Sequence, residues 1–253
     1  MIELRHLSTG YGTHIVAADL NARLKEGELT SLLGPNGVGK STLLRTLAAF
    51  QPALAGEVFV QGQPLGDLSA SEISQKIGVV LTERLDVRNM TAYDMVAMGR
   101  SPYTGFWGRL TDEDRQLINE AIEQTGIGPL RERSIQTLSD GERQKVMIAK
   151  ALAQSTPIIL LDEPTAFLDF PSKVEMLRLL KRLAHEMNKC ICLSTHDVEM
   201  ALQLSDCVWL MEASGRLATG SPRELASDGS IARFVSREGV SFDAESFTLR
   251  IEG

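Results

Sequence analysis

One short stretch of the sequence combines glycines, a lysine and hydroxyl residues at a spacing that suits phosphate binding. Residues 34–41, GPNGVGKS, fit the pattern G-x-x-x-x-G-K-[ST]. Glycine permits a curled backbone whose N–H groups point at phosphate oxygens, and a following helix adds its positive end. We therefore expect a nucleotide phosphate site formed by Gly34, Pro35, Asn36, Gly37, Val38, Gly39, Lys40, Ser41 and Thr42. The alternative is an ordinary glycine turn before a helix.

The polar side chains of this stretch have different roles in such a site. Lys40 is expected to reach the β and γ phosphates, and Ser41 to offer its hydroxyl to Mg²⁺. Thr42 can meet the α phosphate from the next position. The pattern alone does not specify the class of nucleotide-binding protein.

Two carboxylates follow an apolar run further along the chain. Residues 158–161 read Ile-Ile-Leu-Leu, which is typical of a parallel strand buried on both faces. At the end of this strand Asp162 can hold Mg²⁺ through water, and Glu163 can deprotonate a water that attacks the γ phosphate. The alternative is that the two carboxylates only end a strand and cap a helix. A phosphate site in the same chain argues against that alternative.

A third strand, residues 190–197, CICLSTHD, ends in Thr195, His196 and Asp197. His196 can donate a hydrogen bond to the γ phosphate and so sense its presence. A lone histidine is more often structural, and only its place at the tip of an apolar strand favours the functional interpretation.

These groups need elements that bring them to one place. Residues 29–33 predict a short buried strand and residues 42–48 the start of a helix, with the glycine stretch between them. Residues 1–81 are interpreted as a nucleotide-binding core with a β layer in which short strands run near glycines. Acid-rich capping at 111–114 predicts a helix start.

Composition restricts the class of protein. The 253 residues carry a formal charge of −7 with a pI of about 5.2, which argues against a nucleic-acid partner. No run approaches the roughly 20 apolar residues of a membrane span, and the first residues lack the features of a signal peptide. Three cysteines predict reduced thiols in a cytosolic protein. Cys190 and Cys192 are interpreted as buried apolar residues, with a metal pair as the alternative.

At residues 138–153, LSDGERQKVMIAKALA, the chain resembles the ATPase subunits of ABC transporters. The family signature Leu-Ser-x-Gly-x is matched by Leu138, Ser139 and Gly141, whereas Asp140 and Glu142 replace the commoner glycine and glutamine. Ser139 gives a hydroxyl and Gly141 allows close backbone approach at a helix start, and together they are expected to form another anion-binding site. The alternative is a capped surface helix with Ser139 as N-cap and Glu142 as its partner. We expect both descriptions to hold together.

The resemblance, which covers residues 1 to about 225, implies how the motifs cooperate. It implies a homodimer in which each ATP lies between the phosphate loop of one chain and Ser139 and Gly141 of the other. It further implies that Tyr11 stacks on adenine, the alternative being a plain surface turn, and that Leu168 and Asp169 contact the opposite chain. Thr82 stands where the family usually has a glutamine that binds Mg²⁺ and water, and we expect Thr82 or Glu83 to supply this contact.

The fold that the resemblance implies is α/β. It is a P-loop NTPase core with a mainly parallel sheet, an antiparallel β layer and an α-helical signature subdomain. We expect an ATPase domain over residues 1–225, with the helical subdomain inserted at about 83–150, and a tail over residues 226–253. Alternation in the tail predicts a β hairpin, and extra packing at the edge is the alternative.

Residues 90–110 resemble the corresponding region of ATPases from iron-chelate, haem and cobalamin importers. In that group it receives a short cytoplasmic helix of the membrane subunits, and Tyr103, Phe106 and Trp107 offer apolar contact area for it. The alternative is internal packing of these aromatic rings.

Together these features predict an ATP-hydrolysing subunit of a binding-protein-dependent importer for iron-siderophore, haem or cobalamin. The expected partners are a second copy of the chain, integral membrane permease subunits and, indirectly, a substrate-binding protein. The expected location is the cytoplasm, at the inner face of the cell membrane. The alternative is a stand-alone ABC ATPase in cofactor assembly or another process without transport.

Overall fold

A computed structural model describes residues 1–81, 89–105, 107–236, 240–244 and 246–251. Its strands, in chain order, are β1 (Ile2–Tyr11), β2 (His14–Leu24), β3 (Leu29–Leu33), β4 (Ala55–Val60), β5 (Gln63–Pro64), β6 (Ile77–Val80), β7 (Ile158–Leu161), β8 (Cys190–Thr195), β9 (Cys207–Met211), β10 (Leu217–Gly220), β11 (Val240–Asp243) and β12 (Thr248–Ile251). Its α-helices are α1 (Lys40–Leu47), α2 (Ala70–Lys76), α3 (Ala92–Ala97), α4 (Asp112–Thr125), α5 (Asp140–Ala153), α6 (Phe170–Glu186), α7 (Val198–Leu204), α8 (Pro222–Ser227) and α9 (Ser230–Val235).

The central sheet has the strand order β10-β9-β3-β8-β7-β6, and all its pairings are parallel except that of β10 with β9. Every residue of β3, β7 and β8 is buried, as expected for strands covered on both faces. The predicted strands at 29–33 and 158–161 coincide with β3 and β7. Because parallel strands share one carboxyl edge, the segments after β3, β7 and β8 meet there.

A second, antiparallel sheet has the order β2-β1-β4-β5 and packs against the first. Leu4 of β1, Leu20 of β2 and Val58 of β4 share one apolar cluster with Leu32 of β3 and Leu43 of α1. The antiparallel sheet and α1 thus share one apolar core with the central sheet.

The helices between β6 and β7 pack on one another through α3, α4 and α5 and share an apolar cluster. Each begins with a capping box, in which the N-cap hydroxyl and a carboxylate three residues later satisfy each other's backbone N–H groups. The predicted helix start at 111–114 is confirmed, since Thr111 is the N-cap of α4.

The last strands, β11 and β12, pair in antiparallel register. Phe242, Phe247 and Leu249 pack on the apolar cluster beneath α7, and the Leu249 N–H donates to Glu199 Oε1 at 2.8 Å. The end of the chain is thus attached to α7, the helix that follows His196.

Cys190 and Cys192 are free thiols buried in the apolar core, as predicted. Burial raises the pKa of Cys190 to about 12, so this thiol stays protonated near neutral pH. No helix within the described ranges combines the length and the apolar character that a membrane span requires.

Candidate functional site at the carboxyl edge of the sheet

The turn between β3 and α1 depends on glycine at two positions. Gly37 and Gly39 have φ angles of 80° and 111°, where side chains other than hydrogen are strained. A Cβ atom on Gly39 would lie 2.4 Å from Val16 Cγ1 of β2. The β layer therefore presses directly on the turn and holds its curled backbone.

This turn leaves the start of α1 open to an anion. The N-cap of α1, Gly39, has no side chain to cap the helix, and the first turn of this fully described helix contains no acidic residue. Unsatisfied N–H groups and the helix dipole both favour a negative charge at such an end.

The Lys40 side chain is folded back on the same turn. Its Nζ donates to the carbonyl oxygens of Gly34, at 2.9 Å, and Pro35, at 3.2 Å. Burial lowers the pKa of Lys40, while the nearby charges of Glu163 and Asp162 act in the opposite direction. An ammonium that has lost most of its water in this way gains strongly when phosphate oxygens reach it.

Ser41 and Asp162 meet, although 121 residues separate them in the sequence. Ser41 Oγ donates to Asp162 Oδ1 at 3.0 Å. The Asp162 backbone N–H donates to the Val80 carbonyl at 2.9 Å, which fixes the residue at the end of β7. A hydroxyl and a carboxylate held together are oxygen ligands of the kind that Mg²⁺ prefers.

Glu163 has an uncommon backbone conformation. Its φ is 47°, in the left-handed region that residues with a Cβ adopt rarely and at a cost of about 1–2 kcal/mol. The Glu163 N–H donates to Ser194 Oγ at 2.9 Å, and Ser194 Oγ donates in turn to Asp162 Oδ1 at 2.7 Å. Ser194 is not among the site residues that the sequence predicts. The available signal was a serine within an otherwise apolar strand, CICLST.

Tyr11 contacts the phosphate turn, and His196 lies at the same edge of the sheet. The Tyr11 hydroxyl is 3.0 Å from Thr42 Oγ1, and its side chain is about half exposed at the end of β1. His196 is exposed and follows β8 directly. The structure therefore places Tyr11 beside the phosphate turn and His196 at the same sheet edge.

The signature segment is self-capped. Ser139 is the N-cap of α5, and both its N–H, at 2.8 Å, and its Oγ, at 3.0 Å, donate to Glu142 Oε2. The predicted pairing of Ser139 with Glu142 is confirmed. These hydrogen bonds lower the pKa of Glu142, whose Oε1 also lies 3.3 Å from Arg133 Nη1. Asp140 pairs with Arg143 at 3.5 Å.

The segment after the carboxylates lies against this helix end. Leu168 packs on the helical cluster, and a Cβ on Gly141 would be 3.7 Å from Leu168 Cδ2. Asp169 caps α6 by accepting from the Ser172 N–H at 3.0 Å. The flanking rings of Phe167 and Phe170 are 74% and 69% exposed, which makes this a surface suited to contact.

Met98, Tyr103 and Trp107 form a second exposed apolar surface, and a buried ion pair holds the segment that carries them. Arg100 Nε donates to Asp114 Oδ1 at 2.8 Å and its Nη1 to the Ala153 carbonyl at 2.8 Å, while the Tyr103 ring covers its guanidinium. Hydrogen bonds from Thr111 and Arg100 lower the pKa of Asp114 to about 2. Trp107 is 81% exposed, which favours the interpretation of a contact surface over that of internal packing.

The structure does not describe three of the residues that the sequence predicts for these sites. Thr82 and Glu83, expected beside the metal, and Phe106, expected in the contact surface, lie outside the described residues.

Comparison with known proteins places this geometry in a family. The profile described as ABC transporter matches residues 17–166. An uncharacterized ABC transporter ATP-binding protein, MJ0873 of Methanocaldococcus jannaschii, is 42% identical, over 89% of this chain and 78% of its own length. The iron(3+)-hydroxamate import ATP-binding protein FhuC of Bacillus subtilis is 36% identical, over 98% of this chain and 90% of its own length. The ferric enterobactin transport ATP-binding protein FepC of Escherichia coli is 34% identical, over 94% of this chain and 88% of its own length.

Solved structures agree on the fold. CbiO1 of Clostridium perfringens, part of the ABC transporter complex cbiONQ, superposes with a TM-score of 0.80 at 28% identity, over 92% of this chain and 93% of its own. The dimeric ABC transporter cassette MJ0796 superposes with a TM-score of 0.74 at 28% identity, over 88% of this chain and 99% of its own. The expected α/β fold and the expected resemblance to siderophore-importer ATP-binding proteins are confirmed. The family profile and these relatives cover most of the chain, and the chain belongs to the ABC transporter family.

Proposed function

We propose that this chain is the ATP-binding and ATP-hydrolysing subunit of an ABC importer for an iron chelate or a related metal chelate. Hydrolysis is supported by one observation above all. The open start of α1, Lys40, Ser41, Asp162 and Glu163 meet at a single sheet edge. The cargo is supported by FhuC and FepC, which match nearly all of the chain and are named for iron-chelate transport.

In this proposal the turn at 34–42 holds the triphosphate. Phosphate oxygens take the N–H groups at the start of α1 and replace the two backbone carbonyls that Lys40 Nζ now contacts. Tyr11, already bonded to Thr42, gives a ring at the hairpin end on which adenine can stack.

The donor set at Ser41 and Asp162 fits Mg²⁺. A hydroxyl and a carboxylate oxygen 3.0 Å apart are hard ligands, and Asp162 is anchored on both sides, to Val80 and to Ser194. When bound, Mg²⁺ neutralises charge on the β and γ phosphates. Glu163, the next residue, is the base that takes the proton of the attacking water. His196 donates to the γ phosphate from the end of β8.

The proposed active form is a homodimer. Ser139 and Gly141 of one copy close on the γ phosphate held by the other, and the segment at Leu168 and Asp169 lies beside them. The dimeric structure of MJ0796 supports this arrangement. Closure with ATP and reopening with ADP follow from the loss of the γ-phosphate contact.

The exposed surface of Met98, Tyr103 and Trp107 is proposed to dock on membrane permease subunits at the inner face of the membrane, with a substrate-binding protein delivering cargo from outside. Exposed Tyr103 and Trp107 supply contact area, and the ion pair of Arg100 with Asp114 keeps that area in place. The alternative of a stand-alone ABC ATPase is not favoured, because FhuC and FepC are both named for transport.

Uptake measurements test the cargo. Cells that carry this chain with its permease and binding protein are given radiolabelled ferric hydroxamate, ferric catecholate or cobalamin, each with the parent chain and with Lys40→Ala. We expect uptake of one iron chelate to depend on Lys40. Uptake that is equal with both chains for every cargo would contradict the importer proposal while leaving ATP hydrolysis in solution unaffected.

A further inference from the structure

Ser194 is a buried serine whose hydroxyl connects the Asp162 carboxylate with the backbone of Glu163. The residue lies in β8 and is 0% exposed. It accepts from the Glu163 N–H and donates to Asp162 Oδ1, which also accepts from Ser41. Four residues on three different segments are thus joined in one hydrogen-bonded chain.

The strand register explains why this position can reach both residues. The last pair between β7 and β8 is Leu161 with Leu193, and β8 continues for two residues beyond it. On its other side Ser194 is paired with Leu32 of β3. Ser194 therefore lies level with the first residues past the end of β7, between the carboxylates and the strand that leads into the phosphate turn.

The backbone of Glu163 needs such a partner. At a φ of 47° the chain turns out of the strand direction at Glu163, so its N–H, which faces β8, lies beyond the last backbone pair of β7 with β8. The side chain of Ser194 on the neighbouring strand β8 accepts from this N–H. Because the direction of the Cα–Cβ bond follows from the backbone, the same contact sets the direction in which the Glu163 carboxylate leaves the chain.

We propose that Ser194 is a positioning residue for ATP hydrolysis, which orients Glu163 through its backbone and Asp162 through its carboxylate. The proposal rests on the roles proposed above for these two residues. ATP binding does not need Ser194, since Lys40 and the glycine turn are held by other contacts and Asp162 keeps its bonds to Ser41 and Val80. Loss of the hydroxyl should consequently lower kcat with little change in KM.

The test compares Ser194→Ala with Ser31→Ala. Ser31 is a matched control, because it is also 0% exposed in the central sheet and its Oγ lies 2.6 Å from Ser205 Oγ, within a pair that has no catalytic role. We expect Ser194→Ala to lower kcat by about 30-fold, within the roughly 100-fold range that misplacement of a catalytic group produces, and to leave KM within about threefold of the parent. Ser31→Ala should lower the melting temperature by about as much as Ser194→Ala does, but it should keep the parent kcat.

Two further variants separate positioning from a structural effect. Ser194→Thr restores the hydroxyl and should turn over several times faster than Ser194→Ala, even though its added methyl group lowers the melting temperature. In single-turnover experiments, Ser194→Ala added to Glu163→Gln should cause less than about a threefold further loss, because residues that act as one unit are strongly non-additive.

The outcomes are distinct. A parent-like kcat in Ser194→Ala, or a full additional loss in the double variant, would overturn the positioning role while Glu163→Gln remained inactive. Parent-like turnover in Glu163→Gln itself would instead remove the base from the proposed function. A fall in kcat equal to that of Ser31→Ala would show a general effect of a lost buried hydroxyl and would also overturn the proposal.

Discussion

The starts of α1 and α5 are two versions of the same feature, a helix N-terminus that follows a short polar sequence. At α1 the cap is Gly39, and its first turn, all of it described, carries no carboxylate. At α5 the cap is Ser139, and the Glu142 carboxylate takes both its N–H and its hydroxyl. One helix end is prepared for an external anion, whereas the other already holds an anion of its own.

This difference indicates an order of events. The α1 end can bind phosphate in a single chain, because no carboxylate of its own first turn occupies it and Lys40 has only to give up its bonds to two carbonyls. The α5 end can offer Ser139 Oγ to a phosphate only when the hydroxyl turns away from Glu142. ATP should accordingly bind first at α1, and the second, weaker contact should act only when two chains close.

The largest expected effect concerns the chemistry at the α1 end. Glu163→Gln should lower turnover by about 10³-fold, because removal of a positioned general base typically costs 10²–10⁴-fold. ATP affinity should stay near that of the parent, since the phosphate contacts remain. Turnover by phosphate release and ATP affinity by equilibrium dialysis measure the two quantities. Equal losses in both would show that Glu163 supports binding and not the chemical step.

The next effect concerns the shape of the phosphate turn. Gly39→Ala should weaken ATP binding by about 100-fold, since a Cβ at this φ of 111° would lie 2.4 Å from Val16 Cγ1. Gly66→Ala is the matched control, because a Cβ there meets no atom within 4 Å. Titration with a fluorescent ATP analogue compares the two variants. Parent-like affinity in Gly39→Ala would show that the turn does not require this backbone conformation.

The third effect concerns the buried carboxylate of Asp114, which belongs to the capping box of α4. Asp114→Asn should lower the free energy of unfolding by about 2 kcal/mol, as hydrogen bonds to charged groups contribute about 1.5–3 kcal/mol. The pKa of Asp114 is lowered from 3.8 to about 2, so its contribution is complete above about pH 4 and is lost as the pH falls towards 2. Urea unfolding at several pH values gives the free energy of unfolding of the parent and the variant. The difference between the two should decrease only below about pH 4. A difference in free energy of unfolding that does not depend on pH would contradict the role of the charge.

The smallest effect tests the anion at the α5 end. Glu142→Gln keeps acceptors for the Ser139 N–H but removes the charge beside the incoming γ phosphate. We expect ATP-driven dimerisation to tighten by about threefold, in keeping with the modest energies of partly exposed charges. Sedimentation equilibrium of the Glu163→Gln chain, with and without Glu142→Gln, gives the comparison. A weaker dimer would mean that the carboxylate assists closure.

The sequence allowed the α1 end, the strands at 29–33 and 158–161 and the cap at Ser139 to be predicted, because each depends on residues close together in the chain. Ser194 and the conformation of Glu163 could not be predicted in this way. Their contact depends on the register between β7 and β8, strands 28 residues apart, which no local pattern specifies. The same holds for the bond between Tyr11 and Thr42, which requires the β layer to be packed on α1. The roles of these site residues remain predictions.

The most direct test of the central claim, that the two helix ends complete one ATP site only across two copies, is the turnover of a mixture. Lys40→Ala disables the first end, and Gly141→Asp places a charge at the second, where the structure has room for the added Cβ. Each variant alone should be nearly inactive. An equal mixture should recover up to about a quarter of the parent turnover, because half of the random dimers carry one intact site of two. Turnover of the mixture equal to the mean of the two variants alone would contradict the claim.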